Sequence, residues 1–304
     1  MSAPLVSIFI ISYNQEEFIE ATLDSAFNQD YPNLQVVISD DASTDRTVEI
    51  IRAYQQKRPE LVAIFNTTNL GITKNCNVCL AQCTGEYIAF LGGDDLFLPG
   101  KISAQVKWFE EDKDRVICGH DCEIFDNQTK AVLAIDVPYR KKGYGVKSWI
   151  EDGMILSAQT LMIRNAARPA IGFDERTGIV ADWKFFIDML LKGGECGYIP
   201  GVYSKYRKHS SNITLTSTNY MTAGYKQSLL DQLYTLSYIE AYYPEFSRSC
   251  KVRRKKLFYV RLFVAFKHSD SRVVKALISC FTVTAFSVIS TRALSNKFRA
   301  WFRK

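Results

Sequence analysis

Three short stretches of this sequence group side chains that could do chemistry. Residues 90–95 read FLGGDD, so an apolar run ends in two glycines and two adjacent carboxylates, Asp94 and Asp95. Two like charges side by side repel unless solvent, a cation or a hydrogen-bond donor offsets them. A polar turn is one reading, because Gly and Asp are ordinary strand-ending residues. A site for a divalent metal and a phosphate is the other. The second stretch, Ser12-Tyr13-Asn14, and the third, Asp40-Asp41, also follow apolar runs.

The elements that must position them alternate. Leu5–Ile11, Gln35–Ser39, Leu61–Asn66 and Tyr87–Leu91 read as strands. Helical spacing occupies Glu16–Asn28, the stretch from the N-cap candidates Ser43 and Thr44 to about Lys57, and Ile72–Gln82. Strand and helix in strict alternation predict a parallel sheet with helices on both faces. Ligands of such sheets bind beyond the C-terminal strand ends, where all three polar stretches fall. Further on, Lys101–Asp112 and Asp182–Leu191 read as helices, and Arg115–Phe125, Leu161–Ile163 and Gly197–Tyr203 as strands. Residues 126–158 read as irregular and acceptor-facing, and Thr222–Tyr243 as a long helix ended by Pro244.

The 304 residues, 47% hydrophobic and 23% charged, have a globular composition and can bury a substantial core. The N-terminus enters a strand pattern with no basic region before it, which reads as a chain without an export signal. Its eight cysteines therefore read as reduced thiols. Cys76, Cys79 and Cys83 would line one stripe of a helix; no second Cys or His pair stands at zinc-ligand spacing, so they read as core. From Ser247 to Lys304, fifteen Lys and Arg face one acid, a net +14, while the first 246 residues carry −8. Such a tail suits an anionic partner, either lipid headgroups or nucleic acid.

The segments VSIFIISYN (6–14), NQDYPNLQVVISDDASTDRT (28–47), NLGITKNCNVCLAQCTGEYIAFLGGDDLFLP (69–99) and GFDERTGIVADW (172–183) together resemble inverting glycosyltransferases of family 2, over roughly residues 4–210. That resemblance implies the GT-A fold, an α/β Rossmann-like, mostly parallel sheet flanked by helices. It implies a GT-A domain over 1–215, with a nucleotide-sugar half at about 1–100 and an acceptor half at about 101–215. Residues 216–304 are expected to be a helical, basic C-terminal extension. FLGGDD occupies the place of the family's aspartate-rich metal motif, with Gly92 where the first Asp often stands. Cys76 stands where many relatives carry Arg, and Lys74 could supply that charge.

The resemblance also implies roles. Tyr13 lies against the nucleobase, and Asp41 accepts a hydrogen bond from the imide N–H. Asp94 and Asp95 hold Mn²⁺ or Mg²⁺ on the diphosphate, Asp95 as the foremost ligand. A metal there would offset the charge of the leaving nucleoside diphosphate. Asp182 is the base that takes the acceptor hydroxyl's proton, with Asp174 and Glu175 as fallbacks. His209, in YRKHSSN, meets the metal or diphosphate, with Arg207 or Lys208 adding charge. Bland readings stand beside these: helix caps for Asp41 and Asp182, core packing for Tyr13, a surface role for His209.

The tail completes the expectation. Lys251–Lys267 places cations before an apolar run, and Ala276–Thr291 is uncharged but shorter than the roughly 20 residues a spanning helix needs. An in-plane amphipathic helix on an anionic membrane surface fits these flanks and the closing KFRAWFRK, against the alternative of a helical pair packed on the domain or on a second subunit. The expected protein is a metal-dependent enzyme at the cytoplasmic, inner face of the membrane. It would move a sugar from a nucleotide-sugar, foremost a UDP-sugar, to a saccharide acceptor on a lipid carrier in surface-polysaccharide synthesis. A polyprenyl-phosphate sugar transferase and a non-catalytic membrane-binding scaffold are the alternatives. No nucleic-acid module is matched, so no nucleic-acid partner is expected.

Overall fold

The structure is a computed structural model and describes residues 3–138, 144–212 and 222–268. Four parallel strands form its first half: β1 (Val6–Ser12), β2 (Leu34–Asp40), β3 (Val62–Phe65) and β4 (Tyr87–Gly92). Their continuous apolar runs suit strands covered on both faces. Alternation along β1 sends Ile8 and Ile10 to a core shared with Leu23 of α1 (Ile19–Phe27) and Ile51 of α2 (Thr47–Lys57). It sends Phe9 to the opposite core, with Cys79 and Leu80 of α3 (Ile72–Gln82). Cys76, Cys79 and Cys83 are buried free thiols in that core, as their stripe predicts.

Register decides where the polar residues emerge. Ser12 pairs with Asp40 across β1 and β2, and Ile11 with Gly92 across β1 and β4. The three strands therefore end level, with β1 between neighbours whose connections run to opposite sides. That switch point is where such sheets bind ligands.

The sheet then departs from a purely parallel pattern. Its order is β3-β2-β1-β4-β8-β6-β9-β5, and β7 pairs with β6. The added strands are β5 (Leu96–Phe97), β6 (Arg115–Asp126), β7 (Val132–Asp136), β8 (Met162–Arg164) and β9 (Glu195–Lys208). β8 runs antiparallel between β4 and β6, whereas β6 and β9 are parallel. Between them come α4 (Lys101–Glu110), α5 (Val146–Asp152) and α6 (Ala181–Leu191). Region 126–158, expected to be irregular, thus contains β7 and α5. Every β7 residue is exposed, so burial, the cause of readable strand patterns, is missing there.

Two further helices close the described chain, α7 (Ala223–Tyr242) and α8 (Ser247–His268). α8 packs on α5 and α7. The cations that looked unpaired in sequence are partly satisfied: Lys256 Nζ meets Asp152 at 2.5 Å and Arg254 meets Glu240 at 3.0 Å. Arg253 donates to Gln232 at 2.6 Å. Along this stretch the chain follows the domain-packed alternative. Ala276–Thr291 and KFRAWFRK lie outside the described residues, and no helix of the described residues is long and apolar enough to cross a membrane.

Candidate active site at the strand ends

Tyr13 leaves β1 with 46% of its surface exposed, so core packing does not explain it. Asn14 follows at φ 52°, a conformation Asn tolerates better than most residues. Its N–H donates to Ser43 Oγ at 2.8 Å, and its Oδ1 accepts the Thr44 N–H at 2.8 Å. Ser43 and Thr44 are thus latches on the β1 loop rather than caps of α2. The Asp45 carboxylate instead accepts the Thr47 N–H at 3.0 Å.

The two aspartates of the second stretch divide their tasks. Asp40 is fully buried, accepting the Ser12 hydroxyl at 2.9 Å and the Ser43 hydroxyl at 2.6 Å. Asp41 faces the third connection. Its Oδ1 accepts the Leu70 N–H at 2.9 Å and the Asn66 amide at 3.0 Å, and its Oδ2 accepts the Gly71 N–H at 2.9 Å. Gly71 sits at φ 84°, which lets the chain turn into α3 with that N–H aimed back. Of about four acceptor positions on a carboxylate, one on Oδ2 remains. These contacts hold the loop before α3; Asp41 does not cap α2. Lys74 stands exposed in the first turn of α3.

The FLGGDD turn is closed by the Asp95 N–H to the Gly92 carbonyl at 3.1 Å. The β5–β9 pairing, Leu96 with Lys205 and Phe97 with Ser204, brings the end of β9 alongside. The Arg207 N–H then donates to Asp95 Oδ1 at 2.9 Å. Asp94 Oδ2 accepts from His209 Nε2 at 3.0 Å and Asn212 at 3.2 Å. Each carboxylate has one oxygen pinned, and the other lies beside Gly92. A carbon placed as a Cβ on Gly92 would lie 2.8 Å from Asp94 Oδ1 and 3.6 Å from Asp95 Oδ2. Burial, then the charge of Asp94, pushes Asp95 well above the ordinary carboxylate range.

Two carboxylate oxygens beside one glycine, one from a buried Asp, fit a hard divalent cation that takes its other ligands from water and phosphate. Among the described residues, no cluster of three or more His, Cys, Asp and Glu could hold a metal by itself. Arg207, expected to lend charge to a diphosphate, is buried between the rings of Phe18 and Phe125, and its Nε donates to the Asp94 carbonyl at 2.7 Å. It braces the turn. Lys208 is exposed and, with His209, lines an open cleft of about 790 Å³.

Asp182 is the second residue of α6, whose N-cap is Val180. Its Oδ1 accepts the Trp183 N–H at 2.7 Å, and burial pushes it up to about 6. Across from it in α3, the Cys76 thiol is raised by burial and then by the charges of Asp182 and Asp41. Asp182 and Asp41 thus both act electrostatically on the same buried thiol of α3. Asp174 is unsuited to base duty. Burial raises it, but the Arg176 hydrogen bonds and the charges of Lys184 and Arg176 prevail, holding it at about 2. Glu175 accepts from Asn77 at 3.3 Å. The residues that sequence reasoning passed over are the amides Asn66 and Asn212. Asn66 reads as the last residue of a strand but follows β3, and Asn212 closes the segment YRKHSSN, in which His209 draws the functional reading.

This sheet, with a carboxylate cluster at its switch point, defines a glycosyltransferase domain of the GT-A fold. The chain belongs to glycosyl transferase family 2, whose family match covers residues 7–168. It is 32% identical over 222 residues to an uncharacterized protein of Mycobacterium tuberculosis (strain ATCC 25618 / H37Rv), covering 68% of this chain and 60% of that protein. The chain thus spans about 60% of the length of these first curated relatives. It is 40% identical over 109 residues to the UDP-Glc:alpha-D-GlcNAc-diphosphoundecaprenol beta-1,3-glucosyltransferase WfaP of Escherichia coli, 36% of this chain and 43% of that protein. Among solved structures, S. aureus TarS 1-349 in complex with UDP-GlcNAc matches with a TM-score of 0.62 at 20% identity. That match covers 95% of this chain and 77% of TarS, a likeness of fold.

Proposed function

We propose that this chain is a metal-dependent inverting glycosyltransferase that moves one sugar from a nucleotide-sugar, foremost a UDP-sugar, to a saccharide acceptor carried on a lipid. The observation that carries this reading is the placement of Asp94 Oδ1 and Asp95 Oδ2 together beside Gly92 at the end of β4, level with Tyr13 and Asp41. Tyr13 stacks on the base, and the open position on Asp41 Oδ2 takes the imide N–H. Lys74 faces the donor's negative charge from α3. Asp94 and Asp95 would hold Mn²⁺ or Mg²⁺, and His209 fixes the rotamer of Asp94. A divalent cation bound there neutralises charge on the leaving diphosphate. Asp182 accepts the proton of the attacking hydroxyl, and a burial-raised carboxylate is a better proton acceptor than an ordinary one.

A lipid carrier is supported by WfaP, a glucosyltransferase named for alpha-D-GlcNAc-diphosphoundecaprenol, and by the basic C-terminal region. We assign both donor and acceptor halves to residues 1–215 and an inner-membrane-face contact to 216–304. The test is transfer from UDP-, GDP- and dTDP-sugars to undecaprenyl-diphosphate-linked GlcNAc, with NMR of the product anomer. One donor class should react, the anomeric configuration should invert, and Asp182→Asn should lose about a hundredfold or more in rate. Full activity of Asp182→Asn toward polyprenyl phosphate would support direct charging of the lipid instead.

A further inference from the structure

The segment that delivers Asp182 is held by a residue far along the chain. Asp231, in the middle of α7, is fully buried. Its Oδ2 accepts three consecutive backbone N–H groups, from Gly178 at 3.0 Å, Ile179 at 2.7 Å and Val180 at 3.2 Å. Three amides converging on one oxygen form an anion nest, here filled by the protein's own carboxylate. Oδ1 accepts from Gln227 at 2.7 Å, so both oxygens are fixed. Val180 is the N-cap of α6 and has no side-chain cap of its own; Asp182 lies two residues beyond it. On the opposite side, the Thr73 hydroxyl of α3 donates to the Thr177 carbonyl at 2.7 Å. The loop before Asp182 is therefore clamped between the nucleotide half and α7.

We infer that Asp231 is a positioning residue: it fixes the 178–180 loop and thereby the placement of the Asp182 carboxylate over the acceptor. This rests on the reading of Asp182 as the base. A glycosyltransferase base must stand within hydrogen-bond reach of the attacking hydroxyl, and displacement by about 1 Å can cost about a hundredfold in rate. Donor binding uses the ends of β1, β2 and β4 and Lys74 of α3, and the Asp231 carboxylate hydrogen-bonds to none of them. Losing the nest contact should thus lower kcat and spare donor affinity. It also gives α7 a duty in catalysis beyond packing.

The experiment measures kcat, donor KM and calorimetric nucleotide affinity for Asp231→Ala, Asp231→Asn, Gln227→Ala, Asp182→Asn and the Asp182→Asn/Asp231→Ala double variant of the full chain. Asp231→Ala should lose about tenfold or more in kcat with nucleotide affinity within about twofold of wild type. Asp231→Asn keeps an acceptor oxygen for the three amides and should recover most of the rate. Gln227 is exposed, so Gln227→Ala tests the clamp even if Asp231→Ala fails to fold; a fall of a few fold in kcat alone is expected. The double variant should be no slower than Asp182→Asn. Wild-type kcat in folded Asp231→Ala, wild-type kcat in Gln227→Ala when Asp231→Ala does not fold, or a further loss in the double variant overturns the inference. Wild-type activity in Asp182→Asn removes the base reading, and this inference with it. A strongly slowed Asp182→Asn beside wild-type kcat in the Asp231 and Gln227 variants removes this inference alone.

Discussion

His209 Nε2 lies 3.0 Å from Asp94 Oδ2, although 115 residues separate them in the chain. The short β5–β9 pairing makes the contact, and Asn212 adds a second donor to the same oxygen. With Oδ2 held, Oδ1 stays beside Gly92. His209→Ala should release that rotamer and weaken metal-dependent nucleotide binding about tenfold, or roughly 1.4 kcal/mol. Repeating the titration in an Asp94→Asn background checks the coupling. If His209 acts through Asp94, its removal there should cost much less; an equal loss in both backgrounds would mean that His209 touches the ligand directly.

Asp182 links activity to pH. Burial raises its carboxyl from 3.8 to about 6, so the folded protein binds a proton that the unfolded chain releases between those values. Stability should therefore fall as pH rises from about 4 to about 6 and stay at the lower level above it. The transfer rate should move the other way, with an acid limb near pH 6 as the carboxylate forms. Asp182→Asn should lose about a hundredfold or more in kcat, while gaining on the order of 2 kcal/mol of stability at pH 8. Urea titrations at pH 4 and pH 8 with rate profiles over that range check both signs, and a wild-type protein more stable at pH 8 through this group would contradict them.

The two faces of α8 differ. Lys256 and Arg254 are paired inward, whereas Arg248, Lys251 and Lys255 are exposed on a stripe that ends at Phe258. Each cation near an anionic leaflet is worth about 1 kcal/mol, so reversing Arg248, Lys251 and Lys255 to Glu should cut vesicle affinity by about a hundredfold. Sedimentation with phosphatidylserine vesicles measures this. Unchanged binding would move any membrane contact off α8.

Much of the site could be read from sequence because burial on both faces makes β1, β2 and β4 continuous apolar runs, and polar residues then mark the strand ends. α3 was also legible at both bounds, since its Cys stripe and Leu80 face the core. Other features rest on contacts distant in the chain. Ser43 and Thr44 look like caps until Asn14 claims them. β5 has two residues, too short for any periodicity, yet it brings His209 to Asp94. The extension of β9 to Lys208 carries Arg207, whose charge suggested a ligand but whose place is between two rings. The tail's cations suggested a partner because Asp152 and Glu240, which pair two of them, lie elsewhere in the sequence.

The central claim is that the free oxygens of Asp94 and Asp95 bind a nucleoside diphosphate through a divalent cation. Calorimetric titration of UDP, GDP and dTDP with and without Mn²⁺, into wild type and Asp95→Ala, tests it most directly. One nucleotide should bind wild type only when Mn²⁺ is present, and Asp95→Ala should show no such binding. Metal-independent binding of equal strength in both proteins, or no binding to wild type with any nucleotide, would contradict it.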